Sequence, residues 1–139
     1  MRTLVLDASV AIKWYFPEVL SDAALRLISA DTRWIVPDLF YAEVGNVLWK
    51  KVTRGEATVD IARDVLTSLL SLDIEVCPAK PFVKPALEIA HQFQCTVYDG
   101  LYLTTAIEKG CPLVTADRKF YDAMSPTALG KHLLWIEDT

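Results

Sequence analysis

Short apolar runs alternate along this chain with longer stretches in which apolar residues return every three or four positions. Leu4-Val5-Leu6 predicts a buried strand that stops abruptly on Asp7. Val10 to Tyr15 predicts a short helical segment ending before Pro17. Ser21 and Asp22 then start a helix whose stripe is Ala24, Leu25, Leu27 and Ile28. Trp34-Ile35-Val36 is a second strand closed by Pro37, which suits the first turn of the next helix. That helix should run from Asp38 to Arg54, with Gly55 as a left-handed cap, and Thr58 should start a further helix carrying Ile61, Val65, Leu66, Leu69 and Leu70. Ile74 to Cys77 is a third strand. Phe82 to Phe93 is helical in pattern but holds Pro85, which predicts a single turn, a break and a new helix near Pro85. Asp99 marks the N-terminus of another helix that Gly110 ends. Leu113-Val114-Thr115 is a fourth strand, Arg118 to Met124 a short helix, and Leu133 to Ile136 a last strand at a sheet edge.

Strands alternating with helices imply an α/β fold: a central, mostly parallel sheet of four to five strands with helices on both faces. No repeat or linker interrupts residues 1–139, so one domain is expected.

Composition narrows the function. The chain has 139 residues, 53% hydrophobic and 23% charged, well inside the globular range. Its net charge of −4 excludes a protein that coats nucleic acid through bulk charge, so any such contact must be local. Cys77, Cys95 and Cys111 have no metal-binding spacing and read as core residues in a reducing compartment. With neither a signal-peptide core nor a membrane-spanning run, a soluble cytoplasmic protein is expected.

Four acids stand out: Asp7, Glu43, Asp99 and Asp117 each interrupt or closely follow an apolar run. Taken singly each has a simpler role, as a helix cap, a turn residue or the partner of a nearby cation. Taken together they are harder to explain that way. Asp7 and Asp117 follow the carboxyl ends of two parallel strands, Asp99 starts a helix at that edge, and Glu43 comes from a helix beside it. Each close carboxylate pair at about 4 Å costs on the order of 4 kcal/mol at an effective dielectric of 20. A cation relieves that cost, and an all-oxygen site favours Mg²⁺ or Mn²⁺ over zinc. Such an ion binds phosphate oxygens and activates water, which points to phosphodiester hydrolysis. Neither His91 nor His132 lies in a motif for a general base.

Other polar residues fit less specifically. Ser9 and Thr115, two residues from Asp7 and Asp117, can hold a water, a metal or a phosphate, or simply cap helices. Asn46 lies about one turn after Glu43. Arg118 and Lys119 are candidate contacts to a sugar-phosphate backbone or solvated surface residues. For Lys50, Lys51 and Arg54, complementing the helix dipole is a sufficient role.

Leu4-Val5-Leu6-Asp7-Ala8-Ser9, Glu43 with Asn46, Val97-Tyr98-Asp99-Gly100-Leu101-Tyr102 and Leu113-Val114-Thr115-Ala116-Asp117 together resemble the PIN-domain ribonucleases. They are most similar to the VapC toxins of bacterial and archaeal toxin–antitoxin pairs. The resemblance implies that Asp7, Glu43, Asp99 and Asp117 hold one or two Mg²⁺ or Mn²⁺ ions for endonucleolytic cleavage of RNA, with transfer RNA the expected target and inhibited translation the outcome. It also implies a homodimer, and a VapB-like antitoxin that forms a heterotetramer or larger complex and lays its C-terminal segment, often with an arginine, across the acids. Trp14, Tyr15, Phe16, Tyr41 and Trp49 are then candidates for that groove or the dimer contact, although ordinary core packing accounts for some of them. Gly100 stands where the family often has alanine.

Two other readings compete. An aspartyl-phosphate phosphatase of the haloacid dehalogenase type also has an acid after its first strand, but wants a second acid where Ser9 stands. A PIN-like module that binds RNA or protein without cutting needs no intact set of mutually repelling acids.

Overall fold

The computed structural model describes residues 1–29 and 31–139. Its centre is β1 (Arg2–Leu6), where Leu4, Val5 and Leu6 are each at most 1% exposed. Successive strand residues point to opposite faces, so burial of all three means that both faces of the sheet are covered. This accounts for the unbroken apolar run.

After β1 come α1 (Ala8–Ala11), a 3-10 turn at Ile12–Trp14 and α2 (Ser21–Ser29). β2 (Thr32–Pro37) leads through Asp38 into α3 (Leu39–Thr53), which packs against α4 (Val59–Ser71). β3 (Ile74–Cys77), α5 (Val83–Phe93), α6 (Val97–Lys109), β4 (Leu113–Thr115), α7 (Arg118–Met124) and β5 (Leu133–Trp135) complete the chain. The five strands lie in the order β3-β2-β1-β4-β5 and every pairing is parallel. β3 and β5 are the edges, as expected for β5.

Several local expectations shift. Pro37 does not open α3; it is the last residue of β2, opposite Cys77. A strand end tolerates the missing N–H. Pro85 does not break the chain: a 3-10 turn at Lys80–Phe82 runs directly into α5, leaving Pro85 in the first turn, where no intrahelical N–H is lost. Asp99 is not the N-cap of α6, because Thr96 takes that place and Asp99 lies three residues on. Thr58 does cap α4, accepting from Ile61 N at 3.2 Å, and Gly55 and Gly110 adopt φ of +72° and +64°.

Trp14 belongs to the core rather than to a surface groove. Its Nε1 donates to the Ala24 carbonyl at 2.8 Å and its ring meets Trp34 edge-on at 5.5 Å. Trp49 is 60% exposed. Cys77 and Cys111 are buried, Cys95 is half-buried, and all three are free thiols.

Gly100 has a steric reason. α5 and α6 pack so tightly that a Cβ at position 100 would run into the Ala86 carbonyl oxygen. Among the described residues, no helix is long and apolar enough to cross a membrane.

Candidate active site

The strand order sets the location. From β1 the chain steps to β2 and β3 on one side, while β4 and β5 lie on the other, so the order reverses between β1 and β4. In open parallel sheets the crevice outside the carboxyl ends at such a reversal is where ligands bind. Asp7 directly follows β1, and its N–H donates to the Val114 carbonyl of β4 at 3.3 Å. Asp117 follows β4 by two residues. α3 leaves the same edge after β2 and carries Glu43, and the first turn of α6 carries Asp99.

All four acids line one cleft of about 220 Å³, together with Ser9, Tyr102 and Phe120. Two larger hollows adjoin it. One, of about 530 Å³, shares Glu43 and Asp99 and adds Asn46, Lys50 and Tyr98; the other, of about 550 Å³, shares Asp99 and Asp117 and adds Lys119. The acids therefore sit in the middle of an open groove.

Asp7 is the most firmly placed. Ser9 Oγ donates to its Oδ2 at 2.6 Å and Thr115 Oγ1 donates to the same oxygen at 2.9 Å. Each hydroxyl is aimed by backbone: Ser9 Oγ accepts from Ala116 N at 3.1 Å, and Thr115 Oγ1 accepts from Asp117 N at 3.1 Å. The result is a relay of bonds tying the ends of β1 and β4 together. Although Asp7 stands at the N-cap of α1, its side chain makes no cap bond. Asp99 and Asp117 do combine both roles. Asp99 completes a reciprocal capping box with Thr96, and Asp117 Oδ1 accepts from Phe120 N at 3.1 Å.

Burial and mutual repulsion act together on these groups. Burial raises the pKa of Asp7, and the Asp99 and Asp117 charges add to it, against the opposing bonds from Ser9 and Thr115. Burial is also the main cause for Asp99, with Asp117 adding to it and Thr96 opposing. Glu43 is pushed up to about 7 by burial, then by Asp7 and Asp99. No ion pair among the described residues involves any of the four.

Tyr102, one turn after Asp99, was not singled out by sequence reasoning. Its hydroxyl is buried against Asp7 and Glu43, lies close to Glu43 and the Ala8 backbone without good hydrogen-bond geometry to either, and has its pKa raised by burial first and then by those two acids. The signals in the sequence are its spacing from Asp99 and its place at the end of the run Val97-Tyr98-Asp99-Gly100-Leu101-Tyr102. Of the candidate phosphate contacts, Lys119 lines the groove. Arg118 does not point a free charge there: its guanidinium stacks on Trp135 at 3.8 Å and pairs with Asp122 at 3.2 Å.

Whether these residues suit a cation rests on their chemistry. They offer hard oxygen donors of one charge sign with no neutralising partner, on a scaffold that fixes Asp7 through Oδ2 alone, leaving Oδ1 outside the relay. That set fits Mg²⁺ or Mn²⁺. Among the described residues, no three acids, histidines or cysteines are already drawn together at ion-holding spacing, as expected of like charges that repel across a cleft.

Comparison with known proteins agrees with this architecture. The family model described as PIN domain matches residues 4–124. Ribonuclease VapC3 of Pyrobaculum aerophilum is 35% identical over 118 residues, covering 84% of this chain and 90% of its own. The solved structure of Mycobacterium tuberculosis VapC20, described as a sarcin-ricin loop cleaving toxin, superposes with a TM-score of 0.69 at 16% identity, covering 87% of this chain and 95% of that one. VapBC2 of Rickettsia felis, solved bound to a DNA fragment from its promoter, gives a TM-score of 0.61 at 15% identity, covering 96% of each chain.

Proposed function

This chain belongs to the PIN domain family, and we propose that it is a VapC-type toxin: an endoribonuclease that hydrolyses RNA phosphodiester bonds with the help of Mg²⁺ or Mn²⁺. The observation that carries the proposal is the convergence of Asp7, Glu43, Asp99 and Asp117 on one cleft at the β1/β4 reversal, without a cationic partner among the described residues. A phosphatase of the haloacid dehalogenase type has no support here, because Ser9 spends its hydroxyl on orienting Asp7.

In this reading the four carboxylates hold one or two divalent ions, which when bound supply Lewis-acid activation of the phosphate and of water. The protein supplies the geometry. Ser9 and Thr115 hold Oδ2 of Asp7 so that the carboxylate does not swing with the charge at the site, and the Thr96 capping box does the same for Asp99. The groove, open on both sides of the acids, admits a strand that continues past the cut. Asn46 and Lys119 flank that path.

The same proposal extends to partners. A VapB-like antitoxin blocks the groove, the toxin acts as a homodimer within a heterotetramer or larger complex, and transfer RNA is the substrate whose loss inhibits translation. The name of the VapC3 relative supports the ribonuclease part of this extension and the toxin–antitoxin neighbour its VapB-like partner.

The test is cleavage of total transfer RNA by purified protein in Mn²⁺ and in EDTA, with folded Asp99→Asn alongside. Cleavage in Mn²⁺ by the wild type alone supports the proposal. Equal cleavage by both proteins, or wild-type cleavage that survives EDTA, refutes it; RNA bound tightly but left whole by the wild type favours the non-cutting module instead.

A further inference from the structure

The hollow next to the acids on the α1 side has a different charge. It measures about 320 Å³ and joins the acid cleft through Ala8, Ser9 and Val47. Its polar lining comes from Lys13, Lys50, Lys51 and Arg54, opposed by Glu18 and Glu56. In a chain of net charge −4 this is a concentrated positive spot beside a cluster of acids.

The four cations fall into two pairs. Glu18 holds Lys13 at 3.2 Å and Lys51 at 2.6 Å, and Lys51 also reaches Glu56 at 3.6 Å and lies over the Phe16 ring at 4.7 Å. These two lysines brace the wall. Lys50 and Arg54 are exposed and form no ion pair among the described residues. If they served only the dipole of α3, any position around its last turn would do.

Their positions along α3 are more specific than that. At about 100° per residue, Glu43, Val47, Lys50 and Arg54 fall within roughly 60° of one another on the helix surface. At about 1.5 Å per residue, Lys50 stands roughly 10 Å and Arg54 roughly 16 Å beyond Glu43 along the axis. One helix face thus carries an acid at the cleft, an apolar step, and two unpaired cations leading away from it.

We propose that this hollow is a phosphate-binding subsite, in which Lys50 and Arg54 contact backbone phosphates of a single-stranded RNA on one side of the scissile bond. The inference rests on the ribonuclease reading for its substrate, and on charge and placement for the site. An acidic protein segment is the competing occupant. Placement favours RNA, because a strand threaded through the acid cleft must leave it along one of the adjoining hollows, and this one presents two unpaired cations, Lys50 and Arg54, spaced along a line from the acids.

The test measures binding of a fluorescein-labelled oligouridylate by anisotropy over a range of salt, on an Asp99→Asn background so that nothing is cut. That readout does not require cleavage, so it separates failure of the subsite from failure of the ribonuclease reading, which the wild-type cleavage assay reports. Lys50→Gln with Arg54→Gln should weaken binding roughly tenfold and make the slope of log K against log salt shallower by about 1.4, two phosphates at about 0.7 each for a single strand. Lys84→Gln with Lys131→Gln removes the same charge from exposed positions elsewhere and should leave both quantities as they were. Equal affinity and slope in the Lys50/Arg54 variant, or equal losses in both double variants, overturns the subsite. So does a polyglutamate peptide that binds through Lys50 and Arg54 while oligouridylate does not.

Discussion

Replacing Glu43 by glutamine should stabilise the metal-free protein and weaken it when Mn²⁺ is present. The magnitude follows from burial of Glu43 and its repulsion by Asp7 and Asp99, which move its pKa from an ordinary 4.5 to about 7. Below pH 4.5 the group is protonated whether the chain is folded or not and contributes nothing. Between pH 4.5 and about 7 the unfolded chain releases its proton while the folded chain keeps it. The folded state then binds more protons, so stability falls as pH rises and levels off above about 7. The full shift corresponds to roughly 3 kcal/mol. Glu43 is only half-buried and solvent screens part of this, so about 1–2 kcal/mol is the expected loss. Urea unfolding in EDTA should therefore find Glu43→Gln equal to wild type near pH 4.5 and about 1–2 kcal/mol more stable near pH 8. Mn²⁺ at a hundred times the wild-type dissociation constant should add about 2.7 kcal/mol to the wild type but only about 0.4 kcal/mol to a variant that binds it a hundredfold more weakly, reversing the order. A difference between the proteins that stays constant with pH, or an order that Mn²⁺ leaves unchanged, contradicts the reasoning.

Three other substitutions probe the scaffold. Thr115→Val removes both the bond to Asp7 and the acceptor for Asp117 N in a buried position, so unfolding should cost about 1–3 kcal/mol less. Because that bond lowers the Asp7 pKa, its loss should also move the pH midpoint of Mn²⁺ binding upward, which calorimetry at several pH values would detect. Tyr102→Phe removes a buried hydroxyl that meets no partner in good hydrogen-bond geometry, so the metal-free protein should gain stability, by up to about 2 kcal/mol in urea unfolding. A loss there would mean that the hydroxyl is bonded in solution. For Gly100→Ala, about 1 kcal/mol of helix propensity gained is set against about 1–3 kcal/mol of overpacking on the Ala86 carbonyl, so the melting temperature should fall.

The sheet was legible because its strands are buried on both faces and therefore apolar without interruption, as in Leu4-Val5-Leu6 and Leu113-Val114. Asp7 and Asp117 were legible because they follow such runs, and Glu43 and Asp99 because each interrupts or follows an apolar stretch at a helix. Helix boundaries were less so: Pro85 reads as a breaker in isolation, but proline fits a first helical turn, and where that turn starts depends on α5 docking against α6. The capping box was readable from Thr96 and Asp99, whose spacing fits it. Three features were not. That Ser9 and Thr115 share one oxygen of Asp7 depends on β1 and β4 being neighbours, a contact across 108 positions of sequence. The commitment of Arg118 to Trp135 depends on β5 returning to the sheet edge. The separation of Lys50 and Arg54 from Lys51 depends on Glu18, which reaches α3 from 33 positions away.

The central claim is that Asp7, Glu43, Asp99 and Asp117 bind a divalent ion together. Anomalous diffraction at the manganese edge from crystals soaked in Mn²⁺ tests it most directly. The prediction is a peak at the carboxyl ends of β1 and β4, at about 2.0–2.2 Å from carboxylate oxygens that include Asp7 Oδ1, with the four side chains closer together than in the metal-free protein. A peak confined to other acids such as Glu18 and Glu56, or none at all in crystals of protein that cleaves RNA, would contradict it.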